Sequence, residues 1–318
     1  MKNNPIYNTI KLKVFNRGSV AIYPIVLKNL MIDKVRTLFL LILVKTIRSR
    51  FLVKTIREID IDKQSILLRL ENGTSFFLPT DKIDSLNGLL SGKFEESETS
   101  RMIKYIKKGD VVLDIGANYG FYTVLFSKWV GQEGRVHAFE PLPWAITLLE
   151  KNLLLNKATE NTIVNKFGLG DKKNTAVIYK YAWCDSGWSS MEKHGWIPTS
   201  NSRCKIITLD AYVKEKKINK VDFIKCDIEG GELPVFKGAR ATLAKFSPVI
   251  IFEVLKAYEK DFNYKPHELY DYLTSLNYDI YNARGDKLRL IKSNESHSMW
   301  GYYLAIPHKH KNTFSKHE

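Results

Sequence analysis

Residues 111–120 read Val-Val-Leu-Asp-Ile-Gly-Ala-Asn-Tyr-Gly, and residues 135–141 read Arg-Val-His-Ala-Phe-Glu-Pro. Each is a short apolar run with an acid at or near its end, Asp114 in the first and Glu140 in the second. The first run opens into a turn carrying Gly116 and Gly120. In a parallel α/β sheet, nucleoside ligands lie across the carboxyl ends of neighbouring strands. Gly116 allows the backbone to approach such a ligand, and an acid after the second strand suits the paired hydroxyls of a ribose.

The glycine spacing selects among nucleosides. A dinucleotide fingerprint, G-x-G-x-x-G, seats a pyrophosphate on a helix N-terminus. Here Asp114 takes the place of the first glycine, giving D-x-G-x-x-x-G. A carboxylate there repels a diphosphate but suits a ligand bearing an ammonium and a sulfonium, which points to S-adenosylmethionine (SAM). An acid ending a strand can also be no more than a helix cap.

Beyond this pair, strand and helix patterns alternate. Strands are expected at 111–115, 135–139, 162–167, 221–227 and 248–253, with helices over 122–129, 144–155 and 267–276. Pro143 suits the first position of the second helix. Two final strands, 278–282 and 300–306, follow without a helix between them. Such alternation implies a parallel sheet with right-handed crossovers, and the last pair implies an antiparallel edge. Upstream, Ile66–Leu70 and Ser75–Leu78 flank Asn72-Gly73, a strong hairpin signal. Asp81 to Ser100 is polar and reads as a connector leading into a helix around Arg101–Lys107.

The net charge of +15 is unevenly spread. Residues 1–57 hold twelve Lys and Arg against one acid, Asp33, so this arm carries +11. Its apolar residues Leu27, Leu30, Met31, Val35, Leu38, Leu41 and Ile42 recur at helical spacing. The longest unbroken apolar run, Leu38–Val44, is far below the roughly 18 residues needed to span a bilayer. The pentamer Val-Lys-Thr-Ile-Arg occurs at 44–48 and again at 53–57. The arm reads either as an interfacial helix attracted to anionic lipid, or as a helix packed on the enzyme or on a partner subunit. A nucleic-acid enzyme would carry its basic surface at the catalytic cleft, so a nucleic-acid partner is not expected. Cys184, Cys204 and Cys226 form no C-x-x-C pair, which argues against zinc or a disulfide framework. With no signal-peptide pattern at Met1-Lys-Asn-Asn-Pro, the expected compartment is the cytoplasm, peripheral to a membrane if the arm binds lipid.

Taken together, several blocks resemble the FkbM-type family of SAM-dependent methyltransferases. They are Gly109-Asp-Val-Val-Leu-Asp-Ile-Gly-Ala-Asn-Tyr-Gly-Phe-Tyr-Thr, Ala138-Phe-Glu-Pro, Asn152-Leu-Leu-Leu-Asn156 and Gly168-Leu-Gly-Asp. Ser186-Gly-Trp-Ser-Ser-Met, Thr208-Leu-Asp, Asp222-Phe-Ile-Lys-Cys-Asp-Ile-Glu-Gly-Gly-Glu232, Gly238-Ala and Ile250-Ile-Phe-Glu253 follow in order. The resemblance covers roughly residues 94–255. It implies a class I methyltransferase fold: a Rossmann-like, seven-stranded, mostly parallel α/β sheet with an antiparallel edge strand. The expected organisation is a basic helical arm (1–57), a hairpin and connector (58–93), the methyltransferase domain (94–310) and a tail (311–318).

The resemblance also implies methylation of a hydroxyl oxygen. Asp114, Gly116 and Asn118 would hold the methionine end of SAM, with Ala117 and Gly120 completing that turn. Glu140, followed by Pro141, would accept from the ribose hydroxyls, and Asp171 would border the adenine; a Gly-Asp after a strand is equally an ordinary turn. Asp227 ends the fourth strand beside the expected methyl group. Methyl transfer to an alcohol gains from a carboxylate base, and Asp227 or Glu229 fits that role. Glu229 and Glu232 also suit the first turn of the next helix. Three such carboxylates could hold Mg²⁺, but no second ligand cluster accompanies them and no metal is expected. Trp183, Trp188 and Trp196 read as an acceptor-binding loop or as anchors of an insertion, and His194 as a surface histidine or a base. The acceptor expected is a small molecule or a glycan: a glycan, a lipid-linked sugar or a secondary metabolite. A nucleic-acid methyltransferase and a non-catalytic membrane-surface protein on the same fold are the alternatives.

Overall fold

In the computed structural model, the described residues are 10–15, 19–22, 56–61, 65–70, 72–79, 96–181, 189–190, 198–254, 264–283 and 288–310. The chain divides into two compact units, residues 1–96 and 97–318. Among the described residues no helix is long and apolar enough to cross a membrane.

The first unit contains an antiparallel sheet of β1 (Ile10–Phe15), β2 (Ser19–Ile22), β3 (Ile56–Ile61), β4 (Ser65–Leu70) and β5 (Ser75–Pro79), in the order β2-β1-β3-β4-β5. The Asn72-Gly73 signal is realised as the β4–β5 turn. Gly73 takes φ 77°, and Asn72 Oδ1 accepts from the Thr74 amide at 2.9 Å. Leu68, Leu70, Phe76 and Leu78 are buried at alternate positions. The helical reading of residues 1–57 needs correction where residues are described. Ile-Lys-Leu-Lys-Val-Phe alternates apolar and basic residues, a period of two that makes a strand. The register sets Lys11 opposite Asp60 and Lys13 opposite Glu58. Leu27 to Ile42, which carried the helical spacing, lie outside the described residues.

Helix α1 (Glu96–Tyr105) begins at the division, and the second unit continues through β6 (Val111–Ile115), α2 (Phe121–Val130), β7 (Arg135–Phe139), α3 (Pro143–Leu155) and β8 (Thr162–Asn165). After β8 come β9 (Gly168–Leu169), β10 (Asn174–Tyr181), β11 (Ser189–Ser190) and β12 (Pro198–Ile207). The remainder is α4 (Leu209–Glu215), β13 (Phe223–Cys226), α5 (Glu232–Lys237), α6 (Arg240–Phe246), β14 (Val249–Val254), α7 (Pro266–Ser275), β15 (Tyr278–Asn282), β16 (Arg289–Leu290) and β17 (Gly301–Pro307).

Eight strands form the main sheet in the order β16-β15-β17-β14-β13-β6-β7-β8. Strands β8, β7, β6, β13 and β14 run parallel. This is the expected class I methyltransferase sheet, with two refinements. The antiparallel strand β17 is inserted between β14 and β15 rather than at the edge, and the two-residue β16 adds an eighth strand beyond β15. A second, four-stranded sheet, β11-β10-β12-β9, interrupts the alternation between β8 and α4.

Strand alternation gives the main sheet two apolar faces. Leu113, Ile115, Ile224, Cys226, Ile250 and Phe252 pack on one side with residues of α4 to α7. Val112, Val136, Phe223, Ile251 and Leu304 pack on the other with α1 and α2. Asp114 falls between Leu113 and Ile115, so it projects towards α2, where it meets Thr123.

The Thr208-Leu-Asp210 block joins two helices. Thr208 Oγ1 caps α4 by accepting from Ala211 N at 3.1 Å. Asp210 accepts from Ala241 N (2.9 Å), Thr242 N (2.8 Å) and Thr242 Oγ1 (2.6 Å), and so caps α6 from outside. These carboxylate bonds satisfy donors that a helix leaves unpaired. Gly238, between α5 and α6, sits against the Gly170 turn: a Cβ there would lie 2.0 Å from the Gly170 carbonyl oxygen. Gly238→Ala must therefore displace backbone, and we expect it to destabilise the fold by about 1–3 kcal/mol. An unfolding midpoint in urea equal to that of the wild type would contradict this packing.

Candidate functional site

Two turns at the carboxyl ends of β6 and β7 are laced together. Gly116 (φ 82°) and Ala117 both donate their amides to the Phe139 carbonyl at 3.0 Å. A Cβ on Gly116 would lie 2.0 Å from the Asp227 carbonyl oxygen, so only glycine lets the β6 turn meet the end of β13. Asn118, left-handed at φ 50°, donates its amide to Glu140 Oε2 at 2.9 Å, and Leu142 N donates to Oε1 at 2.9 Å. Each carboxylate oxygen has two acceptor positions, so Glu140 can bind backbone amides and ligand hydroxyls together. Gly120 (φ 88°) ends the turn, and its missing Cβ admits Leu149 Cδ1 of α3. Buried Asn152 braces the turn from α3, its Nδ2 donating to the Tyr119 carbonyl at 2.7 Å. Pro141 is half-buried, and its carbonyl accepts from Cys204 Sγ at 3.2 Å.

Asp114 is fully buried, and its Oδ2 accepts from Thr123 Oγ1 at 2.5 Å. Burial raises its pKa, the Lys225 ammonium and the Thr123 hydroxyl oppose that rise, and Asp227 adds to it. Two buried acceptor atoms of this turn, Asp114 Oδ1 and Asn118 Oδ1, have no hydrogen-bond partner among the described residues. Unpaired buried acceptors are costly, and a cationic ligand rich in N–H donors would satisfy them. The turn thus fits the ammonium end of SAM, as Glu140 fits its ribose. Asp171 is not brought to this centre by any described contact; it stands exposed on the turn after β9.

Asp227 follows β13 directly. Its Oδ2 accepts from Lys225 Nζ and from Tyr302 OH, each at 3.0 Å. Carboxylate oxygens of Asp227, Glu229 and Glu253 lie within 4.8 Å of one another. Glu229 sits on the loop after Asp227 at φ 60°, and Glu253 pairs in register with Tyr302. The expected third acid, Glu232, is elsewhere: it is buried at the start of α5 and braces the loop from within. Its Oε1 accepts the amides of Ile228 (3.1 Å) and Gly230 (3.3 Å), which precede the helix rather than belong to its first turn. Tyr264 OH donates to the Gly230 carbonyl (2.8 Å) and to Glu232 Oε2 (3.3 Å).

Sequence reasoning missed Lys225, Glu253, Tyr302, Thr123 and Tyr264. Lys225 was detectable, because a strand places i and i+2 on one face. Glu253 is the last residue but one of β14, much as Glu140 directly follows β7. Tyr302 gave no signal, since it comes from a strand paired across the sheet. Trp183, Trp188, His194 and Trp196 lie outside the described residues.

A family model described as Methyltransferase FkbM domain matches residues 114–280. The chain is 25% identical over 157 residues to the hexuronic acid methyltransferase AglP of Haloferax volcanii, a match that covers 49% of this chain and 61% of that protein. It is 31% identical over 125 residues to an uncharacterized methyltransferase of Schizosaccharomyces pombe, covering 36% and 42% respectively. The chain thus spans less than two thirds of the length of either relative. Among solved structures, the methyltransferase FkbM from Methylobacillus flagellatus aligns with a TM-score of 0.40 at 18% identity, over 71% of this chain and 54% of that one. The SAM-dependent O-methyltransferase from Thermotoga maritima aligns with a TM-score of 0.40 at 13% identity, over 79% and 89%.

Burial lifts the Glu232 pKa from 4.5 to about 7, with the Ile228 amide opposing and Asp227 reinforcing the rise. A pKa raised by folding means that the folded state favours the protonated acid. The stability it contributes is complete below pH 4.5 and is lost as pH rises through about 7. A glutamine in its place can accept the same two amides without titrating. Between pH 4.5 and 8 the wild type should lose on the order of 3 kcal/mol relative to Glu232→Gln. Urea unfolding of both proteins across that range measures the difference, which should not be constant.

Proposed function

Because this chain belongs to the FkbM methyltransferase family, we propose that it transfers the methyl group of S-adenosylmethionine to a hydroxyl oxygen of a glycan, a lipid-linked sugar or a secondary metabolite. The observation that carries the donor assignment is the Asp114–Glu140 arrangement, in which unpaired buried acceptors stand beside a carboxylate able to bind backbone and hydroxyls together. Asp114 and Asn118 would bind the ammonium end, and Glu140 the ribose. When bound, SAM supplies an electrophilic methyl carbon.

The chain's own contribution is alignment and proton removal. An alcohol is a weak nucleophile until its proton leaves, so a carboxylate at the end of β13 has a task to perform. Lys225 and Tyr302 both engage Oδ2 of Asp227, which leaves Oδ1 as the oxygen that takes the hydroxyl proton. Glu229 is the second candidate. The relative named for hexuronic acid supports a sugar acceptor.

Glu140→Ala removes hydrogen bonds to a charged group and should weaken SAM binding roughly ten- to a hundredfold by calorimetry. Tight binding of NAD with none of SAM would defeat the donor assignment. Transfer is read by incubating the protein with methyl-tritiated SAM and glycan, lipid and small-molecule fractions of cells lacking the gene. Asp227→Asn should keep SAM affinity within a few-fold but cut transfer about a hundred- to ten-thousandfold. Glu229→Gln is its companion: whichever variant retains the wild-type rate is not missing the base.

A further inference from the structure

We propose that Lys225 is a positioning residue for methyl transfer, an internal cation that holds the base Asp227 in one orientation beside the donor-side acid Asp114. This rests on the function proposed above. Lys225 lies on β13 with its side chain only 4% exposed. Period-two alternation puts it on the same sheet face as Asp227, and register sets it opposite Asp114 on β6. Its ammonium is 3.0 Å from Asp227 Oδ2 and 5.1 Å from the centroid of the Tyr122 ring. The same charge opposes the burial-driven rise of the Asp114 pKa.

Stability alone is a poor reason for keeping this ion pair. Replacing both members of a buried pair with apolar side chains is often neutral or stabilising, whereas removing only the cation leaves its acids uncompensated. What an apolar side chain cannot do is govern the carboxylates. Asp227 has Glu229 and Glu253 within 4.8 Å, oxygen to oxygen, and their repulsion would swing it away. Two donors converging on Oδ2, from Lys225 and from Tyr302, oppose that swing and fix the plane of the group. Oδ1 is then presented in one direction. The hydroxyl proton goes to Asp227.

The test uses the full chain and three variants: Lys225→Met, Lys225→Arg and Tyr302→Phe. Transfer is measured with methyl-tritiated SAM and the fraction that the wild type labels, and SAM affinity is measured separately by calorimetry. Lys225→Met should lower kcat by roughly a hundredfold, with the SAM Kd shifted less than about tenfold. Lys225→Arg, which keeps the charge, should recover part of the rate. Tyr302→Phe buries no new group and should cost kcat about tenfold at unchanged KM for SAM. A normal rate in Lys225→Met, or equal losses of rate and SAM affinity in all three variants, would overturn the positioning role. If the wild type labels no fraction, the proposed reaction itself fails. The Lys225–Asp227 pair is then judged by unfolding Lys225→Met, Asp227→Asn and the double variant: additive effects refute the pairing, and non-additive effects support it.

Discussion

At Gly116 two backbones touch. The turn leaving β6 comes so near the Asp227 carbonyl that a single methyl group would be 2.0 Å from it. Everything chemical in the second unit follows from that proximity. It brings the buried acid of β6 and the half-buried acid after β13 into one electrostatic neighbourhood, so that Asp227 adds to the rise of the Asp114 pKa. It also forces the β6 turn to find its remaining bonds on the far side, at Phe139 and Glu140. Glu140 therefore fastens the two turns, and a carboxylate can accept several donors at once, as the proposed ribose contact requires.

The second unit buries Asp114 and Glu232 fully and Asp227 in part, and compensates each one differently. Asp114 has a hydroxyl on one oxygen and, among the described residues, no partner on the other. Glu232 has two loop amides and a tyrosine. Asp227 has a lysine and a tyrosine on the same oxygen. Three carboxyl groups of similar intrinsic acidity thus take three roles. The incompletely satisfied one stands at the turn proposed to bind the donor, the fully bonded one braces a loop, and the asymmetrically bonded one is the proposed base. Partner geometry separates these roles.

Much of the main sheet was legible in the sequence because its strands are apolar, short and bounded by glycine, proline or acids. The Asn72-Gly73 turn was legible for the same reason. What escaped was whatever depends on pairing at long range. The four-stranded insertion of β9 to β12 is polar along much of its length and interleaved with serines, so no periodicity distinguishes it from a loop. The place of β17 between β14 and β15 is a topological fact that local pattern does not carry. Residues 10–15 illustrate a different error: the helical pattern of the following stretch does not extend over residues whose own alternation has period two. In the site, acids that end strands could be found, and Tyr302 could not. Motif residues with structural roles, such as Asn152 and Asp210, were visible as letters while their work, bracing a carbonyl and capping a distant helix, needed coordinates.

The spacing of Lys225 and Asp227 has an evolutionary consequence. Because successive strand residues face opposite sides, inserting or deleting one residue between them would send one of the two charges through the sheet into an apolar layer. The chain can therefore drift in side-chain identity along β13, but not in length. Loops elsewhere in the domain can lengthen, whereas this tripeptide has to keep its count. Diversification of this domain would then be expected to record substitutions here and insertions around it.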